Sequence, residues 1–291
     1  MLSSCTGLKG FAVFAVRSPL PGVESRGLPE ASFSSRTIPH ERRLVFMTSS
    51  LTESGFPVSS SAEAARRPVI FCDFDGTITE NDNIIAIIRR FNPEGWEQIA
   101  QDTIDQRKSI KQGVGEMFRL LPAALKDEVI DYSISNAVIR AGFQELLDYC
   151  KAENIEFFVT SGGIDFFVYP LLSRFGIPED HIYCNSSDFS GENIEILWPH
   201  SCDEECPNGQ CGMCKTAVIR RFAADKHDRI LIGDSVTDFE GAKLADLVFS
   251  RSHLTTKCRE LGLPHVEFTT FHDVVASLKE RQQLQKAGER P

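Results

Sequence analysis

The sequence predicts an α/β protein with an all-helical insertion near the start of its fold. Three observations carry that reading. Apolar runs of strand length, rich in Val, Ile and Phe, occur at 69–72, 155–160 and 229–232. Helical spacing fills the intervals between them, as expected for a sheet covered by helices. No strand-like alternation interrupts residues 81–137. With 291 residues and 42% apolar content, the chain can bury one large core plus an insertion.

Residues 1–67 read as lying outside that core. They are rich in Ser, Arg, Pro and Gly, and apolar periodicity is poor. Acids are scarce before Met47 (Glu24, Glu30, Glu41), whereas Lys9, Arg17, Arg26, Arg36, Arg42 and Arg43 are basic. That balance resembles an organellar transit peptide. A disordered extension, or an upstream start with Met47 as the true initiator, is the preferred reading of the same residues.

The first strand ends in Asp73 and Asp75, followed by Gly76 and Thr77. Residues two apart on a strand face the same way, so the two carboxylates are expected to converge. Beside a buried strand they are costly unless a cation or hydrogen bonds compensate them. Helical patterning then begins: Ile84, Ile85, Ile87, Ile88 and Phe91 follow candidate caps at Asn81 or Asp82. Asn92-Pro93 reads as an N-cap with proline at the first position of a second helix. Ser109 and Gln112 form a capping-box pattern for a third helix, ending near Pro122. A fourth covers 123–137. Residues 80–137 are thus predicted to form a helical cap beside the acidic loop, with apolar stripes that mostly pack on one another.

The core, predicted over 68–79 and 138–280, resumes with a helix over 140–151 that Asn154 stops. Strand 155–160 follows, with Ser161-Gly162-Gly163 at its tip. A helix over 165–175 ends at Gly176, and Pro170 marks where it would bend. Residues 183–198 carry a hairpin signal around 189–193. Lys215 heads a helix reaching about Ala224, and strand 229–232 leads into Gly233-Asp234 and then Asp238. Runs 247–249 and 266–268 are further short strands, and 281–291 reads as a polar tail.

A formal net charge of −10 gives no general electrostatic reason to bind nucleic acid or an anionic membrane. No apolar run approaches the roughly 20 residues that span a bilayer. A small anionic substrate held by a metal ion remains compatible with that charge. The nine cysteines are an odd number with four in one cluster, which does not suggest a disulfide scaffold. Metal binding or free thiols in the reducing cytoplasm fit better, unless residues 1–46 direct the chain to an organelle.

Three strands therefore end in polar groups: two Asp, then Ser-Gly-Gly, then Gly-Asp with a second Asp. In an open α/β sheet, ligands bind beyond the carboxyl ends of the strands, so these groups should share one crevice. Lys215 stands at a helix start, where the dipole disfavours a cation, which implies that nearby anions hold it. Hard oxygen donors of this kind favour Mg²⁺.

These residues resemble the four motifs of haloacid dehalogenase-superfamily phosphatases: D-x-D-G-T at 73–77, Ser161, Lys215, and Gly233-Asp234 with Asp238, in the family's order. The helical insertion is similar to the lid of the phosphoserine-phosphatase-like branch. Stretches 73–83, 109–118, 161–170 and 198–202 go further. They resemble the phosphatases that act on 2-hydroxy-3-keto-5-methylthiopentenyl 1-phosphate in bacterial methionine salvage. The resemblance spans about 68–280 and implies a Rossmann-like parallel sheet and a Mg²⁺-dependent phosphoric monoester hydrolase for a small phosphorylated metabolite. Phosphoserine, phosphocholine or thiamine phosphate are alternative substrates. A non-catalytic, zinc-braced interaction protein is the alternative outside enzymology, though an intact charge cluster would serve it no purpose.

The resemblance also implies roles. Asp73 attacks phosphorus to give an aspartyl-phosphate, and Asp75 protonates the leaving oxygen and then takes a proton from water. The Asp73 carboxylate, the Asp75 main-chain carbonyl and Asp234 hold Mg²⁺, with Asp238 behind them orienting water or Lys215. Ser161 and the Gly162 amide hold phosphoryl oxygens, and Lys215 offsets anion repulsion. Asn83, Lys111, Met117 and Phe118 are weaker substrate candidates, more simply read as packing or surface of the cap. Cys202, Cys206, Cys211 and Cys214 form C-x3-C-x4-C-x2-C. A tetrahedral zinc site, two disulfides or free thiols are each compatible with that spacing. His200 reads as structural rather than as a further ligand.

Overall fold

The computed structural model describes residues 66–287. The expectations for 1–65 and 288–291 lie outside these residues. Seven strands make one sheet: β1 (Arg67–Cys72), β2 (Glu156–Ile164), β3 (Ile182–Asp188), β4 (Glu195–Leu197), β5 (His227–Gly233), β6 (Leu247–Ser250) and β7 (His265–Glu267). Their order is β4-β3-β2-β1-β5-β6-β7, and every pairing is parallel except the β3–β4 hairpin.

The central strands read as unbroken apolar runs because both faces are covered. Ile70 and Cys72 of β1 enter one apolar cluster, while Val69 and Phe71 enter another. Phe157 and Val159 oppose Phe158 in β2, and Ile230 and Ile232 oppose Leu231 in β5, in the same alternation.

Between β1 and β2 lie α1 (Asn83–Phe91), α2 (Trp96–Ile104), α3 (Ile110–Arg119) and α4 (Lys126–Asn136), with a short 3₁₀ turn at Ala123–Leu125. Asp82 caps α1 by accepting from the Ile85 amide, and the Ser109–Gln112 capping box opens α3 as its sequence predicts. Asn92 does not start α2. It ends α1 in the left-handed conformation (φ 46°), and its Oδ1 accepts from Trp96 Nε1 at 3.0 Å. Nor do the insertion's apolar stripes form a core of their own. Ile87, Ile88, Val114, Met117, Phe118, Leu121 and Val129 share one cluster with Phe74, Ile164 and Phe166 from the sheet side. The insertion is also bonded to the hairpin loop, Ala123 N donating to Glu192 O at 2.9 Å and Ile194 N to Leu121 O at 2.9 Å.

On that same face of the sheet lie α5 (Phe143–Ala152), with Phe143, Leu146 and Cys150, and α6 (Asp165–Leu172), with Phe166, Phe167 and Val168. The opposite face is covered by α7 (Lys215–Arg220), α8 (Phe239–Ala242) and α9 (Ser252–Leu261). The last helix, α10 (Phe271–Lys286), returns to the first face through Phe271, Val274 and Leu278. It corrects the reading of 281–291 as a tail. The helix continues to Lys286 because Arg281 anchors it, donating to both Asp228 oxygens at 3.1 Å. β2 is also longer than its apolar run, taking in Ser161, Gly162 and Gly163. Among the described residues, no helix is long and apolar enough to cross a membrane.

Candidate active site

Strand register assembles the site. Cys72 pairs with Val159 on one side and with Ile232 on the other. The next residues, Asp73, Thr160-Ser161 and Gly233-Asp234, therefore come level at one edge of the sheet. From β1 the chain runs outward through β2, β3 and β4, then crosses back to β5 on the other side of β1, so this edge is the topological switch point, where open α/β sheets bind ligands.

The two acids after β1 do not converge by strand alternation. β1 stops at Cys72, and Phe74–Ile78 forms a tight turn in which Asp75 and Gly76 have non-helical dihedrals. Gly76 has φ +74°, and a Cβ there would come within 2.5 Å of Asp234 Oδ2, so glycine lets the turn close on Asp234. Buried Arg140 holds this turn in place, donating to the carbonyls of Gly76 and Thr77 at 2.8 Å and of Thr79 at 3.2 Å. The sequence marked Arg140 only as a helix start; α5 begins three residues later, at Phe143.

The turn sends the two carboxylates to different partners. Asp73 Oδ1 accepts from Lys215 Nζ at 2.8 Å, and the same ammonium lies 2.5 Å from Asp238 Oδ1. All three residues are buried. Asp238 is fully engaged, since its Oδ2 accepts the amides of Asp234 and Ser235 at 3.2 and 3.1 Å. Asp234 Oδ1 accepts from Thr77 Oγ1 at 3.3 Å. Burial, then the Asp238 charge, raise the Asp73 pKa despite Lys215. The same two causes push Asp234 up to about 7. For Lys215, burial opposes the ammonium, but Asp238 and Asp73 outweigh it and raise its pKa.

Asp75 instead turns toward α1. Its Oδ1 accepts from the Asn83 backbone N–H at 2.9 Å and from Asn83 Nδ2 at 2.7 Å. Its Oδ2 is buried without a hydrogen-bond partner, and a Cβ on Gly163 would lie 2.8 Å from both that oxygen and Ser161 Oγ. Burial, then the charge of Asp82, push Asp75 up to about 8. Since Oδ1 already takes two donors, the proton of the neutral acid belongs on Oδ2. Asn83 is thus a partner of Asp75, and it is itself buried. Met117 and Phe118 are buried in the core cluster, and Lys111 lies over the Trp198 ring at 5.7 Å.

Ser161 is buried, and its Oγ accepts from Gly163 N at 2.8 Å, while Gly162 O accepts from Asn185 Nδ2 at 2.7 Å. Oxygen atoms of Asp73, Asp234 and Asp238 all lie within 4.8 Å of one another. Three carboxylates against one ammonium leave a negative excess in a largely dry site, and their hard oxygens fit Mg²⁺. Cys202, Cys206, Cys211 and Cys214 also come together, and each is a free thiol, so the two-disulfide alternative does not describe this structure. The His200 ring packs edge-on against Tyr183 at 5.2 Å, and the His200 carbonyl accepts the Cys214 amide, a structural place.

A pH dependence follows. A carboxyl with a folded pKa above its unfolded value of about 3.9 keeps its proton where the unfolded chain has lost it, so stability falls as pH rises through that window. With Asp75 at about 8, the metal-free parent should lose stability relative to an Asp75→Asn variant as pH rises from about 4 to 8. Thermal melts of both in EDTA across that range test this. A difference that stays constant, or runs the other way, would show that Asp75 is ionised throughout.

A profile of the haloacid dehalogenase-like hydrolases matches residues 70–243. The chain is 53% identical over 219 residues to a protein of Brevibacillus brevis named 2-hydroxy-3-keto-5-methylthiopentenyl-1-phosphate phosphatase, covering 75% of this chain and 98% of that one. A protein of Geobacillus thermodenitrificans with the same name is 53% identical over 211 residues, covering 72% and 95%. Among solved structures, a phosphoserine phosphatase carrying a phospho-aspartyl intermediate analogue superposes with a TM-score of 0.55 at 18% identity, covering 73% of this chain and 99% of that one. The phosphoserine phosphatase of T. onnurineus gives 0.56 at 13% identity, covering 74% and 95%. At such identities the structural likeness speaks for the fold. The family match and the close relatives speak for the chain: it belongs to the haloacid dehalogenase-like hydrolases.

Proposed function

We propose that this protein is a Mg²⁺-dependent phosphatase that hydrolyses 2-hydroxy-3-keto-5-methylthiopentenyl 1-phosphate to 1,2-dihydroxy-3-keto-5-methylthiopentene, a step of methionine salvage carried out in the cytoplasm. The observation that carries the chemistry is the Lys215 ammonium held between Asp73 and Asp238 at the switch point, with Asp234 beside them. The two relatives named above support the substrate.

In this reading a carboxylate oxygen of Asp73 attacks phosphorus as the bond from phosphorus to the ester oxygen breaks. The leaving oxygen takes the proton from Asp75 Oδ2. Water then attacks the aspartyl-phosphate, giving its proton back to Asp75 and releasing phosphate and free Asp73. Asn83 fills Oδ1 and so leaves Oδ2 as the oxygen that carries the proton. Lys215 weakens the repulsion between an anionic nucleophile and an anionic phosphate, and Ser161 with the Gly162 amide receives phosphoryl oxygens. Asp73, the Asp75 carbonyl and Asp234 would hold Mg²⁺, which supplies charge neutralisation when bound; Asp238 stands behind them. Residues 80–137 would act as the cap that closes on the substrate. The four cysteines would hold a structural Zn²⁺ apart from the reaction.

The test is phosphate release from the enol phosphate, phosphoserine, phosphocholine and thiamine phosphate, each with Mg²⁺ and with EDTA. The enol phosphate should exceed the others in kcat/KM by at least about 100-fold, and EDTA should abolish turnover. Preference for another ester would reject the substrate. Equal turnover in EDTA would reject the metal.

A further inference from the structure

The chain between β4 and α7 carries chemistry that phosphoryl transfer does not use. Residues 198–214 contain no helix or strand. Loops this long without structure of their own need an external reason to be ordered. Met213 is the sole buried hydrophobic residue here apart from the cysteines. The Sγ atoms of Cys202, Cys206, Cys211 and Cys214 nevertheless lie within 4.8 Å of one another. Cys206 and Cys211 are 3.7 Å apart at sulfur, far beyond the roughly 2.05 Å of a disulfide. A tetrahedral zinc ion with Zn–S bonds of about 2.3 Å places its sulfurs about 3.8 Å apart. The Cys211 amide donates to Cys202 Sγ at 3.4 Å, supporting a sulfur that bears negative charge.

We infer that these four cysteines bind one structural Zn²⁺, and that the zinc-held loop positions Lys215 and docks the cap helix α3. Cys214 is the N-cap of α7 and precedes Lys215 directly, so a Zn–S bond there fixes the backbone from which the lysine reaches Asp73. On its other side the loop meets α3, where Lys111 N donates to Gln210 O at 3.3 Å. Gly212 (φ +81°) lies against the Trp198 ring, which a Cβ would approach to 2.7 Å, and the same ring lies beside Gly115 of α3. One ion therefore braces both the site and its cap. The consequence for Lys215 rests on the role proposed above; zinc binding does not.

The experiment uses the full chain kept reduced. Metal analysis after treatment with a mild chelator should find about one zinc per chain with Mg²⁺ removed, and Co²⁺ exchange should give the intense visible bands of a tetrahedral thiolate site. Cys211→Ser should lose the metal and melt about 10 °C or more lower. Below its melting point it should turn over about 100-fold more slowly. Cys206→His, which keeps a zinc ligand at its position, should retain metal and rate together. Reduced, active protein without zinc, or with iron in its place, overturns the metal site. A folded, zinc-free Cys211→Ser protein with parental kcat overturns the positioning of Lys215. Zinc bound to a chain that hydrolyses none of the four esters would leave the metal site standing and sink the proposed function.

Discussion

Asp73→Asn is expected to release phosphate at least about 10⁴-fold more slowly than the parent, while folding as well or better. An amide oxygen is a poor nucleophile, and no neighbour can stand in. Asp238 has both oxygens engaged, Asp234 is bonded to Thr77, and Asp75 is turned toward Asn83. The change is nearly isosteric, and Lys215 keeps its contact with Asp238 at 2.5 Å. It also removes a charge that burial and Asp238 both penalise. In EDTA the variant should therefore melt at or above the parental temperature, which separates lost chemistry from lost structure. Single-substrate kinetics paired with thermal melts decide the matter. Turnover within about tenfold of the parent would remove Asp73 as the nucleophile.

The pieces of this site were legible in the sequence for uneven reasons. The apolar runs that lead into Asp73, Ser161 and Asp234 stand out because parallel strands buried on both faces leave unbroken apolar runs. Their common edge followed from the rule for open sheets, and the register at Cys72 bears it out. Local rules misled where two caps share one residue type. Asn92-Pro93 looked like a helix start, yet asparagine also tolerates the left-handed C-cap it adopts here. Helix α10 is legible in principle, since Phe271, Val274 and Leu278 recur at helical spacing in an otherwise polar run. Arg140 left no such trace. Its bonds run to carbonyls more than 60 residues away, and contacts between a side chain and distant main chain impose no local pattern. Asn83 was visible as a polar residue near the crevice, but its grip on Asp75 depends on a turn that only the fold supplies.

Lys215→Met tests the other half of the charge cluster and should damage both stability and rate. The ammonium is almost fully buried between two carboxylates, so deleting it leaves Asp73 and Asp238 facing each other without a cation. Breaking a buried pair in this way costs about 3–5 kcal/mol, or roughly 6–20 °C in melting temperature for a domain of this size. Loss of a positive group at the reacting phosphate should lower kcat a further 10²–10³-fold or so. Much of the instability should be recovered by adding Asp238→Asn, because the second change removes a stranded charge rather than a contact. The double variant should melt near the parent yet remain as slow as Lys215→Met. Mg²⁺ should narrow the stability gap of the single variant, since Asp73 would then face a cation again. If the double variant regained the parental rate, Lys215 would be a structural neutraliser of Asp238 and the phosphate would need another positive partner. If instead Lys215→Met melted like the parent in EDTA, the three groups would not share a dry site at all, and the electrostatic basis of the proposed nucleophile would be gone.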